Sequence, residues 1–164
     1  MIIVVMGVTG AGKTTVGGLL ARELGWKFAD ADSFHSAVNK EKMARGIALD
    51  DADRAPWLAA MRTAILEWSA QGQNVVLACS ALKRSYRETL AIGPEVKFVY
   101  LKGSYEVIYQ RLLSRHGHFA TETILRSQFE TLEEPSDAIV VDVAKAPEDI
   151  VAEIRERLKA EISK

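Results

Sequence analysis

Gly7-Val8-Thr9-Gly10-Ala11-Gly12-Lys13-Thr14 decides how this chain is read, because of what stands on either side of it. Before it, Ile2–Met6 (IIVVM) is a β-branched run stopped by a glycine, the pattern of a buried parallel strand. After it, Thr14 to Leu24 has helical character, with Gly25 placed to close the helix. The octapeptide fits GxxxxGK[ST], a phosphate-binding loop (P-loop), in the strand–loop–helix context that the motif requires. Glycines let backbone N–H groups curl inward, and the helix N-terminus adds fractional positive charge. Lys13 is expected to reach the β- and γ-phosphates of a nucleotide, and Thr14 to offer its hydroxyl to Mg²⁺. Thr15 reads as a first-turn cap or packing residue. The bland alternative is a glycine-rich turn beside a solvated lysine, and the agreement of spacing with context disfavours it. A nucleoside triphosphate site is the expectation.

Strand and helix keep alternating outward from this motif. Trp26–Ala29, Asn74–Cys79, Val96–Leu101 and Ala138–Val143 read as further strands. Within residues 53–72, Trp57, Leu58, Met61, Ile65 and Trp68 recur at helical spacing behind Pro56. Leu82, Tyr86 and Leu90 share a face of the next helix, Ser104 caps one carrying Tyr105, Ile108 and Leu112, and Pro147-Glu148-Asp149 opens the last. This alternation predicts an α/β fold of three layers, a five-stranded parallel sheet with helices on both faces. The 164 residues suit one domain spanning 1–164. Composition is that of a globular chain, with 48% hydrophobic and 26% charged residues. Twenty-one basic against 22 acidic residues leave a net charge of −1, which argues against nucleic-acid or anionic-membrane partners. The longest apolar run, Met1–Met6, is far below the ~20 residues of a membrane span and does not read as a signal peptide. The single cysteine fits a reducing compartment, so a cytoplasmic location is expected.

P-loops serve switches, motors and kinases. A guanine-reading Asn-Lys-x-Asp is missing; the similar string Asn39-Lys40-Glu41-Lys42 lacks the aspartate. The third and fourth strands end at Cys79-Ser80 and Leu101-Lys102 without a carboxylate for the metal. That role falls to Asp30-Ala31-Asp32, at the carboxyl end of the second strand, where an open α/β sheet faces its ligand. Alternate residues of an extended segment point the same way, so both carboxylates can serve one site. Phosphoryl transfer to a small molecule needs one group for the metal and one for the acceptor hydroxyl. Asp30 is assigned the first role and Asp32 the second, and the two assignments could be exchanged. The competing readings are a turn-forming Asp30 and an Asp32 that caps a helix over Ser33–Met43.

Candidates for gripping the acceptor follow. Arg54, amid Asp50, Asp51 and Asp53, is either a solvated ion-pair residue or a planar fork for a substrate carboxylate. His35 either donates to a sugar hydroxyl or caps a helix. Lys83 and Arg87, four apart, either flank an anion or form a solvated face. Arg111 and Arg115 are suited to neutralise the transferring phosphoryl from a closing lid, roughly 111–125, that also excludes water. Cys79, Trp57 and Trp68 read as core, and His116 with His118 lacks the further ligands that zinc would need.

Together these residues resemble the shikimate kinase and adenylate kinase-related small kinases, and more narrowly the bacterial-type gluconokinases. The resembling stretches are Met6–Thr15 (MGVTGAGKTT), Asp30–His35 (DADSFH), Asn39–Gly46 (NKEKMARG) and Leu49–Leu58 (LDDADRAPWL). Ala78–Arg87 (ACSALKRSYR), Leu101–Gly103 (LKG), Arg115–Phe119 (RHGHF) and Ser127–Pro135 (SQFETLEEP) complete them. The resemblance implies ATP-dependent phosphorylation of the 6-hydroxyl of D-gluconate, with Mg²⁺, by a homodimer. It further implies that Gly7, Val8, Thr9, Gly10, Ala11, Gly12, Lys13, Thr14 and Thr15 bind the ATP phosphates. Asp32 would then take the acceptor hydroxyl and Arg54 the substrate's polar end, within an acceptor-binding segment of roughly 33–60. Ala31, Ser36, Ala48 and Ala120 depart from the family pattern of Gly, Pro, Pro and Met without removing a charged or hydroxyl group. The rival readings are a kinase for shikimate or a nucleoside monophosphate, and a nucleotide-binding switch that transfers nothing.

Overall fold

The strand that precedes the P-loop, β1 (Ile2–Met6), is buried along its whole length at the centre of the sheet. The computed structural model describes residues 1–115 and 119–162. β1 pairs in parallel with β3 (Val75–Ala78) on one side and β4 (Val96–Lys102) on the other. β2 (Lys27–Asp30) adds to β3 and β5 (Ile139–Asp142) to β4, so the order is β2-β3-β1-β4-β5 and every pairing is parallel.

Pleating divides the apolar run of β1 between two cores. Ile3 and Val5 join Val16 and Leu20 of α1 (Lys13–Leu24), Ile108 and Leu112 of α5 (Tyr105–Arg115), and Ile150, Ile154 and Leu158 of α7 (Pro147–Ile162). Ile2, Val4 and Met6 join Trp57, Met61 and Ile65 of α3 (Asp51–Ala70) with Tyr86 and Leu90 of α4 (Arg84–Leu90). Each side chain of this size contributes about 1.5–3 kcal/mol when fully buried, which is why β1 has no polar alternation. The result is the three-layer α/β architecture expected from the alternation. Two further helices complete the chain: α2 (Ala37–Ala44), which follows β2, and α6 (Phe119–Thr131), which follows α5. Among the described residues no helix is long and apolar enough to cross a membrane.

Local capping shifts several boundaries from those expected. The helix expected over Ser33–Met43 is divided into a 3₁₀ turn, Ala31–Phe34, and α2. Ser36, not Asp32, caps α2: its hydroxyl accepts the Asn39 N–H at 3.1 Å. α3 starts at Asp51, ahead of the expected residue 53, because Asp50 and Asp53 form a reciprocal capping box. Pro56 therefore lies inside the helix. α6 was not anticipated, and it bears on the site below.

Candidate active site

The P-loop joins β1 to α1 through three glycines of positive φ, Gly7, Gly10 and Gly12. Gly12, at φ +97°, is the N-cap of α1 and brings no side-chain cap, so the first-turn N–H groups stay open. Gly10, at φ +80°, is also packed closely; a Cβ there would lie 2.7 Å from Leu112 Cγ on α5. A side chain at this position would strain the loop and displace the helix. Lys13 Nζ donates to the Val8 carbonyl at 2.9 Å. Desolvation lowers the Lys13 pKa, against the opposing pull of Asp32, Cys79 and Asp30. An anion in the loop would restore what the ammonium loses on leaving water.

The aspartate pair stands where β2 ends. Asp30 accepts the Thr14 hydroxyl proton through Oδ2 at 2.9 Å and the Asp32 N–H through Oδ1 at 2.9 Å. The second bond makes Asp30 the cap of the 3₁₀ turn, so its structural and its candidate ligand roles coexist. The Asp32 carboxylate accepts no hydrogen bond from a described side chain. Lys13, Thr14, Asp30, Asp32, His35 and Arg54 line one crevice of about 340 Å³ at the carboxyl ends of β1, β2 and β3. The Thr14 hydroxyl beside a carboxylate is a donor set that fits Mg²⁺, which takes one or two protein oxygens with phosphate and water completing its shell. No group of three or more His, Cys, Asp or Glu suited to a metal occurs among the described residues.

The far wall of the crevice is positively charged and held by an aromatic relay. Arg54 Nη1 donates to the Tyr86 hydroxyl at 3.0 Å, and its guanidinium carbon lies 5.5 Å from the centre of the Tyr86 ring. The Tyr86 hydroxyl in turn donates to Asp51, which Lys83 Nζ clasps at 2.8 Å. The Lys83 bond, then that of Tyr86, holds the Asp51 carboxyl below its ordinary pKa, and the same contact raises Lys83. Asp53 is occupied by Lys42 at 2.9 Å and by the cap of α3. The three aspartates around Arg54 are therefore committed elsewhere, and Arg54 faces the crevice held by Tyr86. His35 stacks on Trp57 at 4.4 Å between ring centres and 8° between planes. Trp57, expected as core, is both core and crevice wall; its indole N–H donates to the Ala31 carbonyl at 2.8 Å. Burial lowers the His35 pKa, with Asp32 opposing and Arg54 and Lys40 adding to the depression.

Three expected site residues lie elsewhere. Arg87 is buried, and its guanidinium donates to the carbonyls of Ala81, Leu82 and Glu133 at 2.8, 3.1 and 2.8 Å. It braces the chain before α4, and with its donors on these carbonyls it does not join Lys83 at a shared face. Lys83 is likewise spent on Asp51 and does not line the crevice. Arg111 donates to the Val143 carbonyl and borders a second cleft of about 260 Å³ with Thr15, Pro147 and Lys145, on the other flank of the P-loop. Gly10, Gly12 and Thr15 line both cavities. Arg115 ends α5, but its side chain, with His116 and His118, lies outside the described residues. Sequence reasoning missed Gln128 on α6, whose Oε1 accepts the Thr9 N–H at 2.6 Å and whose side chain borders the crevice with Ser127. Cys79 is buried beside Lys13, and burial pushes its thiol up to about 12.

The chain is similar to known small-molecule kinases. The shikimate kinase family model matches residues 9–159. A probable gluconokinase of Xenopus tropicalis is 50% identical over 173 residues, covering 94% of this chain and 91% of the relative. The thermoresistant gluconokinase of Escherichia coli (strain K12) is 43% identical over 163 residues, covering 96% of this chain and 93% of the relative. The crystal structure of a gluconokinase from Sinorhizobium meliloti 1021 superimposes with a TM-score of 0.83 at 41% identity, over 97% of this chain and 95% of that one. A P-loop, a paired aspartate after β2 and an arginine wall, in a chain that shares two-fifths to half of its residues with these enzymes, belong together: the chain is a member of the gluconokinase family, among the shikimate kinase-like kinases.

Proposed function

We propose that this enzyme transfers the γ-phosphoryl group of ATP to the 6-hydroxyl of D-gluconate, giving 6-phospho-D-gluconate and ADP. The observation that carries the reading is the shared crevice of Lys13, Asp32 and Arg54 at the end of the P-loop. The loop also walls the Arg111–Pro147 cleft, which suits the adenine, so a nucleotide lying across Gly10–Thr15 points its terminal phosphate at the acceptor. The open N–H groups of α1 and the Lys13 ammonium cradle the phosphates. Thr14 and Asp30 are the residues to hold Mg²⁺, which would neutralise developing phosphate charge. Arg54 takes the gluconate carboxylate, and a planar fork fastened to the Tyr86 hydroxyl, with its guanidinium carbon 5.5 Å from the ring centre, is pre-organised for that contact.

Asp32 receives the proton of the attacking hydroxyl. The new bond joins the gluconate oxygen to the γ-phosphorus, and the bond to the bridging oxygen breaks, its electron pair leaving with ADP. A lid expected over roughly 111–125, of which 116–118 lie outside the described residues, would exclude water from this step. The family resemblance and the thiol usage support a cytoplasmic homodimer, which sedimentation would test. The activity itself is tested by coupled ADP release over a panel of gluconate, shikimate, nucleoside monophosphates and no acceptor, with the product's phosphate position read by ³¹P NMR. Gluconate is the preferred acceptor. Preference for another acceptor, or ADP release that ignores all of them, would overturn the reading.

A further inference from the structure

Gln128 of α6 hydrogen-bonds to the P-loop, and its chemistry goes beyond holding the two together. A backbone N–H meets its side chain at 2.6 Å, so the atom facing Thr9 is the amide oxygen and the orientation of the group is fixed. The two N–H donors then sit on the opposite end of the same planar amide. No described group accepts from them, although the side chain is half-buried and borders the crevice. Donors left unmatched in a partly dehydrated wall are costly unless a ligand takes them.

The other polar groups of the crevice say which ligand atoms those donors would meet. Asp32, as a carboxylate, only accepts; Arg54 only donates, and its charge suits a carboxylate. A neutral amide does not compete for the carboxylate, but it matches the oxygen of a hydroxyl. Gln128 is tethered to the loop that cradles phosphate, and Arg54 to Tyr86 on α4. A sugar acid held by its carboxylate at Arg54 therefore brings its opposite, hydroxyl-bearing end to Gln128. Resting on the gluconate reading above, we propose that Gln128 is a specificity-determining residue: its amide N–H₂ donates to the hydroxyl next to the one phosphorylated, on C5 of gluconate. Because its oxygen is already committed to Thr9, the amide cannot flip to accept instead. It thus reads that oxygen as an acceptor and registers the reacting end of the substrate against the P-loop.

The test compares gluconate with 5-deoxygluconate on wild-type enzyme and on Gln128→Leu, with nucleotide affinity measured separately by calorimetry with a non-hydrolysable ATP analogue. Wild-type enzyme should lose about 3- to 10-fold in kcat/KM on the deoxy acid, the scale of one hydrogen bond. Gln128→Leu should lose a similar factor on gluconate and show almost no further penalty for the missing hydroxyl, while analogue affinity stays within about twofold. Should Gln128→Leu fold poorly, Gln128→Asn keeps the amide but is too short to span the same distance, and the same collapse of the penalty is expected. An undiminished deoxy penalty in the variants would overturn the assignment. So would a loss traced wholly to nucleotide affinity, which would make Gln128 a brace for the P-loop alone. Wild-type enzyme inactive on gluconate would instead overturn the activity, and is distinguished by that failure occurring before any variant is made.

Discussion

Replacing Tyr86 by phenylalanine removes one oxygen from behind Arg54, in the support of the crevice wall, and leaves the ring that fills the core. That oxygen accepts from Arg54 Nη1 at 3.0 Å and donates to Asp51, so its loss unfastens the guanidinium from the Asp51–Lys83 pair behind it. Asp51 is exposed and is re-solvated at little cost. The consequence falls on Arg54, which keeps its cation–π contact with the ring but loses the bond that fixes its rotation. A hydrogen bond to a charged group is worth about 1.5–3 kcal/mol, and water recovers part of it at this half-buried site. A net loss of about 1–2 kcal/mol in binding the substrate carboxylate corresponds to roughly a 5- to 30-fold fall in kcat/KM for gluconate. The loss should appear as a raised KM for gluconate with nucleotide affinity unchanged, since the Tyr86 hydroxyl bonds to Arg54 and Asp51 and to no P-loop residue. Because the ring stays packed, the melting temperature should move by no more than about 2–4 °C, the scale of one kcal/mol in a chain of this size. Steady-state titration of gluconate at saturating ATP, with a thermal melt of the same sample, measures both. An unchanged gluconate KM would refute the claim that the relay holds Arg54 for the acceptor.

Lys13→Ala and Asp32→Asn should each lower kcat by at least about 100-fold while preserving the fold, as judged by circular dichroism; full turnover by either variant removes that residue from the chemistry. Arg87→Met should instead destabilise by about 3 kcal/mol, lowering the melting temperature by roughly 6–12 °C, because three backbone carbonyls lose a charged donor; activity in the cold should survive. His35 has a depressed pKa, so the unfolded chain takes up its proton first as pH falls. Stability should therefore decline below the ordinary histidine value of about 6.5, and His35→Gln should flatten urea midpoints measured between pH 7.5 and 5.5 relative to wild type; equal slopes in the two proteins would refute it.

What the sequence disclosed and what it concealed differ in range. The P-loop was legible because its determinants lie within eight residues, and the glycine conformations it needs are those found at Gly7, Gly10 and Gly12. The aspartate pair was legible because the end of a parallel strand has one functional side. Lys83 and Arg87 were not, since spacing along a helix does not say what each side chain meets. Arg87 turns inward because the backbone around Ala81, itself left-handed at φ +45°, presents carbonyls that need a donor. Arg111 was expected on a helix of a lid over the transferring group; it lies on α5 and borders the second cleft, since a helix face does not specify which of two clefts it borders. Gln128 was hidden for two reasons. Its contact spans 119 residues, and α6 turns Ser127 and Gln128 into the crevice where an apolar stripe would have marked a packed face.

The burial of Cys79 has a practical sequel. It is the one thiol in the chain, 1% exposed and protonated well above neutrality, so alkylating reagents at ordinary pH should pass it by. A cysteine introduced on the outer face of α6 would then be a unique handle, and a fluorophore attached there could report the approach of that helix to the P-loop in real time, without any background to subtract.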